Sequence, residues 1–203
     1  MFFYLLMPIE FFALTLIIRY DESNKALRRL IMLKIAAVLT DLFEDSEYTE
    51  PKKALEDAGH EVVTIGLEAG EKATGKADGT EVTIENAVAN ENPADYDALL
   101  IPGGYSPDKL RKDDDMLDFV RHFASHRKWI FTICHGPQLM VNAGILSGRN
   151  MTAVKQVAQD VINAGGNFFD EEVVIDEPGR IVSSRTPDDL PAFNKAIVDV
   201  LDK

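Results

Sequence analysis

The chain has 203 residues, of which 46% are hydrophobic and 27% are charged, as in an ordinary globular protein with a sizeable core. Its formal net charge of -13 argues against nucleic acid and anionic lipid as partners, because both bind surfaces rich in Lys and Arg. Its single cysteine, Cys134, excludes an internal disulfide, a zinc ribbon and an iron–sulfur site, so a reducing cytoplasm is the expected compartment.

Residues 1–31 differ in composition from the rest of the chain. The run MFFYLLMPIEFFALTLII is nearly all apolar, but Pro8 and Glu10 interrupt its middle. A carboxylate there costs a membrane-spanning helix roughly 2–3 kcal/mol, and the run lacks the basic start and the cleavage site of a signal peptide. We therefore expect residues 1–31 to be a hydrophobic extension outside the fold, with a weak membrane anchor or oligomer packing as alternatives. The domain itself is expected to occupy residues 32–203.

From residue 34 onward, the hydrophobic pattern predicts strands that alternate with helices. Strands are predicted at 34–40, 60–66, 80–85, 97–104, 128–133 and 151–154, with a hairpin-like pair within 167–185. Helices are predicted at 44–59, 116–126, 136–146, 157–166 and 187–203, and a polar loop at 67–79. This alternation is typical of an α/β fold with a mostly parallel sheet and helices on both faces. Ligands of such sheets bind beyond the carboxyl ends of the strands.

Cys134 lies at one of those strand ends, just before a helix that begins at Gly136 and Pro137. Proline is favoured in the first helical turn, because its missing N–H would have no partner there. A thiol near the positive end of a helix dipole has a lowered pKa, which favours the nucleophilic thiolate. The sequence therefore predicts a nucleophile elbow at Cys134, with a buried structural cysteine as the alternative.

His135 follows the thiol directly, and the two side chains can converge on a tight turn. The imidazole would then act as a general base or as the cationic partner of the thiolate, unless it only packs against the turn. No histidine follows His135, which excludes the wiring of papain-like proteases and of class I glutamine amidotransferases. His122 and His126 have helical spacing but lack a third ligand, so no metal site is predicted.

Two other strand ends carry groups that could assist the thiol. Glu44 follows the first strand, and a carboxyl held there could hydrogen-bond the thiol and act as an acid or base with a pKa raised by burial. Asp45 and Glu47 are typical of the acidic first turn of a helix, which is also the alternative for Glu44. The Gly103–Gly104 turn frees backbone N–H groups that could form half of an oxyanion hole.

Five motifs in order carry a resemblance to a known family. They are AVLTDLFEDSEY, ALLIPGGYSPDKLR, FTICHGPQLMVNAGILSGRNMTA, INAGG and IVSSRTPDDL. Together they resemble the PfpI-like intracellular cysteine peptidase and general stress protein family, which belongs to the superfamily of the Parkinson-linked protein deglycase. The resemblance spans residues 34 to about 200. It is specific for family membership and much less specific for substrate.

The resemblance implies a fold and a set of site residues. The fold is a flavodoxin-like three-layer sandwich with a mostly parallel central sheet, similar to class I glutamine amidotransferases. Cys134 would be the nucleophile and His135 the adjacent catalytic histidine, while Glu44 would contact the thiol. Gly104 would supply an oxyanion N–H together with the amide after the nucleophile. Asp108, four positions beyond the second glycine of the PGG turn, would complete a triad from the neighbouring subunit.

Three functions are compatible with these residues. The leading hypothesis is a cysteine-dependent stress-protection hydrolase that acts on reactive carbonyls or glycated groups, as in deglycases and glyoxalase-III-like enzymes. The second is an intracellular cysteine peptidase that is active as an oligomer, and the third is a redox-sensing chaperone that uses oxidation of the same cysteine. In each case we expect no cofactor, small carbonyl or protein substrates, and assembly into a homodimer or homohexamer.

Overall fold

The structure, a computed structural model, describes residues 32–202. The expectation that residues 1–31 form an extension falls outside these residues. At the centre is a sheet of seven strands, whose neighbours are parallel except at one edge. From that edge to the other, the strands are β10 (Val173–Asp176), β11 (Ile181–Ser184), β7 (Trp129–Ile133), β6 (Ala98–Ile101), β1 (Lys34–Val38), β2 (Glu61–Gly66) and β5 (Asn86–Ala87). The prediction of a mostly parallel sheet is confirmed.

Helices cover both faces of this sheet. In chain order they are α1 (Asp45–Asp57), α2 (Ser106–Leu110), α3 (Asp114–Ser125), α4 (Pro137–Ala143), α5 (Ala158–Asn163) and α6 (Leu190–Leu201). Side chains of β1 alternate between the faces, since Ile35 and Ala37 pack with α1 and α6, whereas Ala36 and Val38 pack with α3 and α4. The expected flavodoxin-like three-layer sandwich is therefore confirmed. None of the helices within 32–202 has the length and apolar character that a membrane span requires.

The predicted apolar stripe of α3 lies in the core. Met116, Phe119, Val120 and Phe123 are all buried, as their helical spacing indicates. Asp113 caps the helix by accepting a hydrogen bond from the Met116 N–H at 2.9 Å. Full burial of each large apolar side chain contributes about 1.5–3 kcal/mol, so this stripe firmly fixes the helix beside β6 and β7.

Two small sheets lie outside the central one. Strands β3 (Lys72–Thr74) and β4 (Glu81–Thr83) form an antiparallel hairpin, and β8 (Asn150–Met151) pairs in parallel with β9 (Asn167–Phe168). The prediction of a continuous loop over 67–79 is therefore wrong for residues 72–74. The strand forms there because Ala73 is fully buried and because a distant segment supplies hydrogen bonds to the hairpin.

That segment is the turn after β1, which holds the β3–β4 hairpin over the carboxyl edge of the sheet. The Leu42 N–H donates to the Thr74 carbonyl at 2.7 Å, and the Thr74 N–H donates to Asp41 Oδ1 at 3.1 Å. The Lys76 N–H donates to the Phe43 carbonyl at 2.9 Å. The hairpin is therefore fixed by backbone contacts to the loop that leads into α1.

The buried carboxylate of Asp45 also binds the β3–β4 hairpin. Its two oxygens accept hydrogen bonds from the N–H groups of Ala77 at 2.9 Å and Thr80 at 2.8 Å. Gly75 packs so closely that a Cβ there would lie 2.0 Å from Asp45 Oδ1, so only glycine fits. Burial alone would raise the pKa of Asp45, but the N–H groups of Ala77 and Thr80 outweigh it and lower the pKa to about 2.

We expect Asp45→Asn to destabilise the fold by about 2 kcal/mol at pH 7, as measured by urea unfolding. A carboxylate with a lowered pKa contributes stability above its ordinary pKa of 3.8, and that stability is lost as the pH falls through about 2. The difference between the two proteins should therefore shrink between pH 5 and pH 2. Asp57→Asn, at the exposed end of the same helix, is the matched control and should cost less than about 0.5 kcal/mol.

Candidate active site

Cys134 lies on a sharp turn between β7 and α4. Its φ of +60° is in the left-handed region, which is uncommon for a residue with a side chain and stores strain. The surrounding backbone holds this conformation, because the Cys134 N–H donates to the Ser184 carbonyl at 3.1 Å and its carbonyl accepts from the Val154 N–H at 3.2 Å. The structure thus places Cys134 on the predicted strand–nucleophile–helix turn.

The turn can close only because Gly136 has no side chain. A Cβ at this position would lie 2.3 Å from Thr132 Oγ1 and 2.6 Å from the Ile101 carbonyl oxygen. Pro137 then begins α4 at a position where a missing N–H has no cost. These close contacts bring the elbow against the end of β6, where the Gly103–Gly104 turn begins.

A buried carboxyl, that of Glu47, lies beside the thiol. Glu47 is fully buried in the first turn of α1, and its Oε2 accepts a hydrogen bond from the Gly103 N–H at 2.8 Å. The same carboxyl interacts with the Cys134 thiol. Its other oxygen, Oε1, is buried and has no donor of regular hydrogen-bond geometry within the described part of the chain. The carboxyl is therefore oriented by one backbone N–H and directed at the sulfur.

The assignment of this contact to Glu44 needs correction. Glu44 is the N-cap residue of α1 and has an extended backbone, so it lies outside the helical turn that carries Glu47. Its Oε2 pairs with Lys76 Nζ at 2.8 Å. Glu47 is on the core-facing stripe of the helix, since it precedes the buried Pro51 and Leu55 at spacings of four and eight. That spacing is the sequence signal that could have identified it.

The acid–base properties of the pair also differ from the prediction. Burial raises the pKa of Glu47 from 4.5 to about 7. Burial, followed by the charge of Glu47, raises the pKa of the Cys134 thiol, although the N–H groups of His135 and Gly104 oppose the change. The predicted lowering by a helix dipole is therefore wrong, because desolvation outweighs the influence of the seven-residue α4. Because the charge of Glu47 is one cause of the raised thiol pKa, a proton transferred from the thiol to this carboxylate would remove that cause.

His135 lies beside the sulfur, as the sequence suggested for adjacent residues on a tight turn. Its Nδ1 is 3.3 Å from Cys134 Sγ. Burial and then the charge of Lys76 lower the pKa of the imidazole, so His135 is neutral at pH 7. A neutral imidazole at this distance can accept or return a proton, but it does not supply a positive charge to a thiolate.

The two glycines after β6 have different roles. The Gly103 N–H donates to Glu47, so the expectation that it serves an oxyanion needs correction. A Cβ on Gly103 would lie 2.4 Å from Glu47 Oε2 and 2.8 Å from Cys134 Cβ, so only glycine fits between the two. Gly104, with a φ of +77°, directs its N–H at the sulfur, as does His135. These two N–H groups lie where an oxyanion would form if the Cys134 sulfur attacked a carbonyl carbon.

Asp108 does not belong to this cluster within the chain. It lies in α2 with 58% of its side chain exposed, and its carboxylate pairs with Arg111 one turn later. The expected contact with His135 is a contact with a neighbouring subunit. It stays a prediction.

Lys76 and Tyr105 form a rim that the sequence did not indicate. Lys76 Nζ, paired with Glu44, lies 5.8 Å from the centre of the Tyr105 ring. The ring itself is largely exposed, at 62%. Lys76 reaches this position through the β3–β4 hairpin; β4 lies within the strand predicted at 80–85, but β3 lies within the segment predicted as a loop. No local pattern in the sequence could have identified it.

A metal site is not formed by the remaining histidines. The rings of His122 and His126 stack with centroids 3.8 Å apart on α3. Within residues 32–202, no three His, Cys, Asp or Glu side chains are grouped so that they could hold a metal ion.

Comparisons with known proteins show which family the chain matches. Residues 33–200 match the DJ-1/PfpI family. The chain is 50% identical over 168 residues to protein/nucleic acid deglycase 2 of Escherichia coli strain K12, covering 83% of this chain and 97% of that protein. Two proteins of Bacillus subtilis strain 168 are each 49% identical. General stress protein 18 aligns over 84% of this chain and 98% of its own length. Putative cysteine protease YraA aligns over 83% and 98%.

We expect the ionisation of Glu47 to cost stability as the pH rises. The protonated carboxyl costs the fold nothing below the unfolded pKa of about 4.5. Because the folded protein holds this proton more tightly, the unfolding free energy falls as the pH rises from there through about 7. Between pH 5 and pH 8, the unfolding free energy of the unmodified protein should therefore fall by about 2–3 kcal/mol relative to Glu47→Gln. Urea unfolding at both pH values measures this difference.

The control is Glu50→Gln, at an exposed position of the same helix. It should leave the pH dependence of the unmodified protein unchanged. If Glu47→Gln and the unmodified protein have parallel pH profiles, the pKa of Glu47 is not raised.

Proposed function

The chain belongs to the DJ-1/PfpI family, and we propose that it is a cysteine-dependent stress-protection enzyme that acts on reactive carbonyls or early glycated groups. One observation carries the proposal. The strained elbow presents the Cys134 thiol to a buried carboxyl whose pKa of about 7 suits a general base at neutral pH. The names of a deglycase and a general stress protein among the relatives support the same class of function.

The first step would be addition of the thiol to an aldehyde carbon. The Cys134 proton passes to Glu47 as the sulfur–carbon bond forms, and the carbonyl π electrons move to oxygen. The N–H groups of Gly104 and His135 stabilise that oxyanion until it takes up a proton. The product is a hemithioacetal, formed without any change in oxidation state.

For an α-oxoaldehyde, the later steps are an internal redox rearrangement followed by hydrolysis. The hydrogen on the carbon bound to sulfur moves as a proton to the neighbouring carbon, and the hydroxyl proton moves to the neighbouring oxygen, so the first carbon is oxidised to a thioester and the second is reduced to an alcohol. Neutral His135, 3.3 Å from the sulfur, is placed to carry that proton. Water then cleaves the thioester, which releases an α-hydroxycarboxylic acid and restores the thiol.

An early adduct on a protein amine could enter the same sequence. Here the sulfur–carbon bond forms as the carbon–nitrogen bond breaks, and the amine leaves with the proton that Glu47 holds. The rearrangement and hydrolysis then follow as for the free aldehyde. Both substrate classes thus need the same nucleophile and the same base.

We expect the purified protein to convert methylglyoxal to lactate without glutathione, and Cys134→Ser to reduce that rate at least 100-fold. Glu47→Gln should reduce kcat by about 10²–10⁴-fold, because it removes the base. Glu44→Gln, an identical change three residues earlier, should reduce kcat less than about 10-fold. Lactate release under saturating substrate measures all three.

Full activity of Cys134→Ser would contradict the proposal as a whole. Equal losses in the two glutamine variants would instead contradict the assignment of the base to Glu47. The same samples should be tested with a glycated peptide, so that the free aldehyde and the protein adduct are compared directly.

Peptide hydrolysis is the second candidate, favoured by the relative named as a putative cysteine protease. Cys134 would form an acyl-enzyme, and the N–H groups of Gly104 and His135 would stabilise the tetrahedral oxyanion. This function needs an oligomer in which Asp108 of one subunit orients His135 of another.

Cleavage of a fluorogenic peptide, loss of that cleavage in Asp108→Asn and an oligomeric mass would support peptide hydrolysis. A monomer without peptidase activity would rule it out. Oxidation of Cys134 by peroxide, without turnover of aldehyde or peptide, would favour a redox sensor instead.

A further inference from the structure

The rim of the candidate site carries an ion pair next to the nucleophile. Lys76 Nζ lies 2.8 Å from Glu44 Oε2, with 36% of the lysine side chain and 13% of the glutamate side chain exposed. The ammonium also lies over the face of Tyr105, 5.8 Å from the ring centre. Lys76 is thus partly open to solvent but confined between a carboxylate and an aromatic ring.

The backbone of the hairpin fixes where this ammonium lies. The Lys76 N–H donates to the Phe43 carbonyl, one residue before Glu44. The next residue, Ala77, donates its N–H to the buried Asp45 carboxylate. The cation is therefore tied on both sides to the segment that begins α1, and this is the helix that carries Glu47.

Lys76 interacts electrostatically with the ionisable groups around the thiol. The hydrogen bond with Glu44 raises the pKa of Lys76, with smaller contributions from the charges of Cys134 and Glu47, so the side chain is cationic at neutral pH. In turn its charge, after burial, helps to lower the pKa of His135. A group bound at Cys134 Sγ would lie within the same field.

We propose that Lys76 is a specificity-determining residue, which favours ligands that carry a negative charge adjacent to the carbon attacked by Cys134. Glu44 moderates this preference by holding the ammonium. The ligand class comprises α-oxo acids, in which a carboxylate is bonded directly to the carbonyl carbon that the thiol would attack. This inference rests on the proposed role of Cys134 as the nucleophile, but not on any particular turnover.

The chemistry of the site provides a reason for such a cation. Hydrolysis of the thioester places a carboxylate at the sulfur, next to Glu44 and Glu47, in a chain with a net charge of -13. Without a nearby positive charge, a carboxylate there would meet like charges, which disfavour its formation. Lys76 offsets this repulsion from the rim.

The test compares two alkylating reagents on the full chain. Iodoacetate carries a carboxylate one bond from the carbon that the sulfur attacks, whereas iodoacetamide is neutral and of similar shape. Because Cys134 is the only cysteine, the rates of thiol loss refer to one site. The ratio of the two rates cancels changes in thiol pKa, since both reagents react with the same thiolate.

We expect Lys76→Gln to lower the iodoacetate-to-iodoacetamide ratio by about 3- to 10-fold, the size of a partly screened interaction between unit charges. Lys76→Arg should keep the ratio within about twofold. Glu44→Gln should raise the ratio, because it frees the ammonium. A structural role for Lys76 would change both rates alike and leave the ratio constant.

Lys109→Gln is the matched control. Lys109 pairs with Asp41 at 3.0 Å, and its side-chain exposure of 40% is close to the 36% of Lys76. It follows the turn that contains Gly103 and Gly104. It removes the same charge from the protein but should leave the ratio unchanged. An unchanged ratio in Lys76→Gln, or equal decreases in Lys76→Gln and Lys109→Gln, would overturn the proposal.

The alkylation ratio separates this inference from the proposed enzymatic function. A protein that fails to convert methylglyoxal but loses its iodoacetate preference in Lys76→Gln would contradict the carbonyl activity and support the role of Lys76. The opposite outcome, turnover with an unaltered ratio, would contradict only the role of Lys76.

Discussion

The buried Glu47 carboxyl is the constraint on which the rest of the site depends. It joins three elements of the fold. Glu47 lies in the first turn of α1, accepts a hydrogen bond from the Gly103 N–H after β6 and interacts with the Cys134 thiol after β7. A fully buried carboxyl is costly unless its oxygens have partners or it holds a proton. The Gly103 N–H donates a hydrogen bond to one oxygen of Glu47. Because the pKa of Glu47 is raised, the carboxyl also holds a proton over part of the neutral pH range. The glycine is needed as much for the space between Glu47 and Cys134 as for its N–H.

Four acids in one short segment have three different roles, which are determined by position. Asp41 and Asp45 accept N–H groups from the β3–β4 hairpin; the N–H groups lower the pKa of Asp45, whereas the pKa of Asp41 is lowered first by the Lys109 ammonium and then by the Thr74 N–H. Glu44 lies at the helix N-cap with 13% of its side chain exposed, and Lys76 is its partner. Of the four, Glu47 is the one whose carboxyl interacts with the Cys134 thiol. Residues 41–47 therefore both hold the β3–β4 hairpin in place and supply Glu47, the proposed base.

The sequence predicted those features that depend on local spacing. The parallel sheet follows from short apolar runs, the stripe of α3 from helical periodicity, and the elbow from the order of Cys134, Gly136 and Pro137. The choice between Glu44 and Glu47 failed because it depends on where the helix begins: Glu47 lies within the first turn, whereas Glu44 is the N-cap residue with an extended backbone. The pKa of the thiol failed because burial results from contacts between distant elements. The dipole of a short helix was the only influence visible locally.

Lys76 marks the limit of prediction from local patterns, and it also shows how the parts of the site are coupled. Its position requires the Thr74 and Ala77 hydrogen bonds to residues more than 30 positions away. The same segment orients Glu47, so the cation on the rim and the acid beside the sulfur share one support. Loosening the hairpin would release Lys76 first, because Glu47 is also held by the packing of α1 and by Gly103. Changes in ligand preference should therefore arise more easily in this fold than changes in the nucleophile.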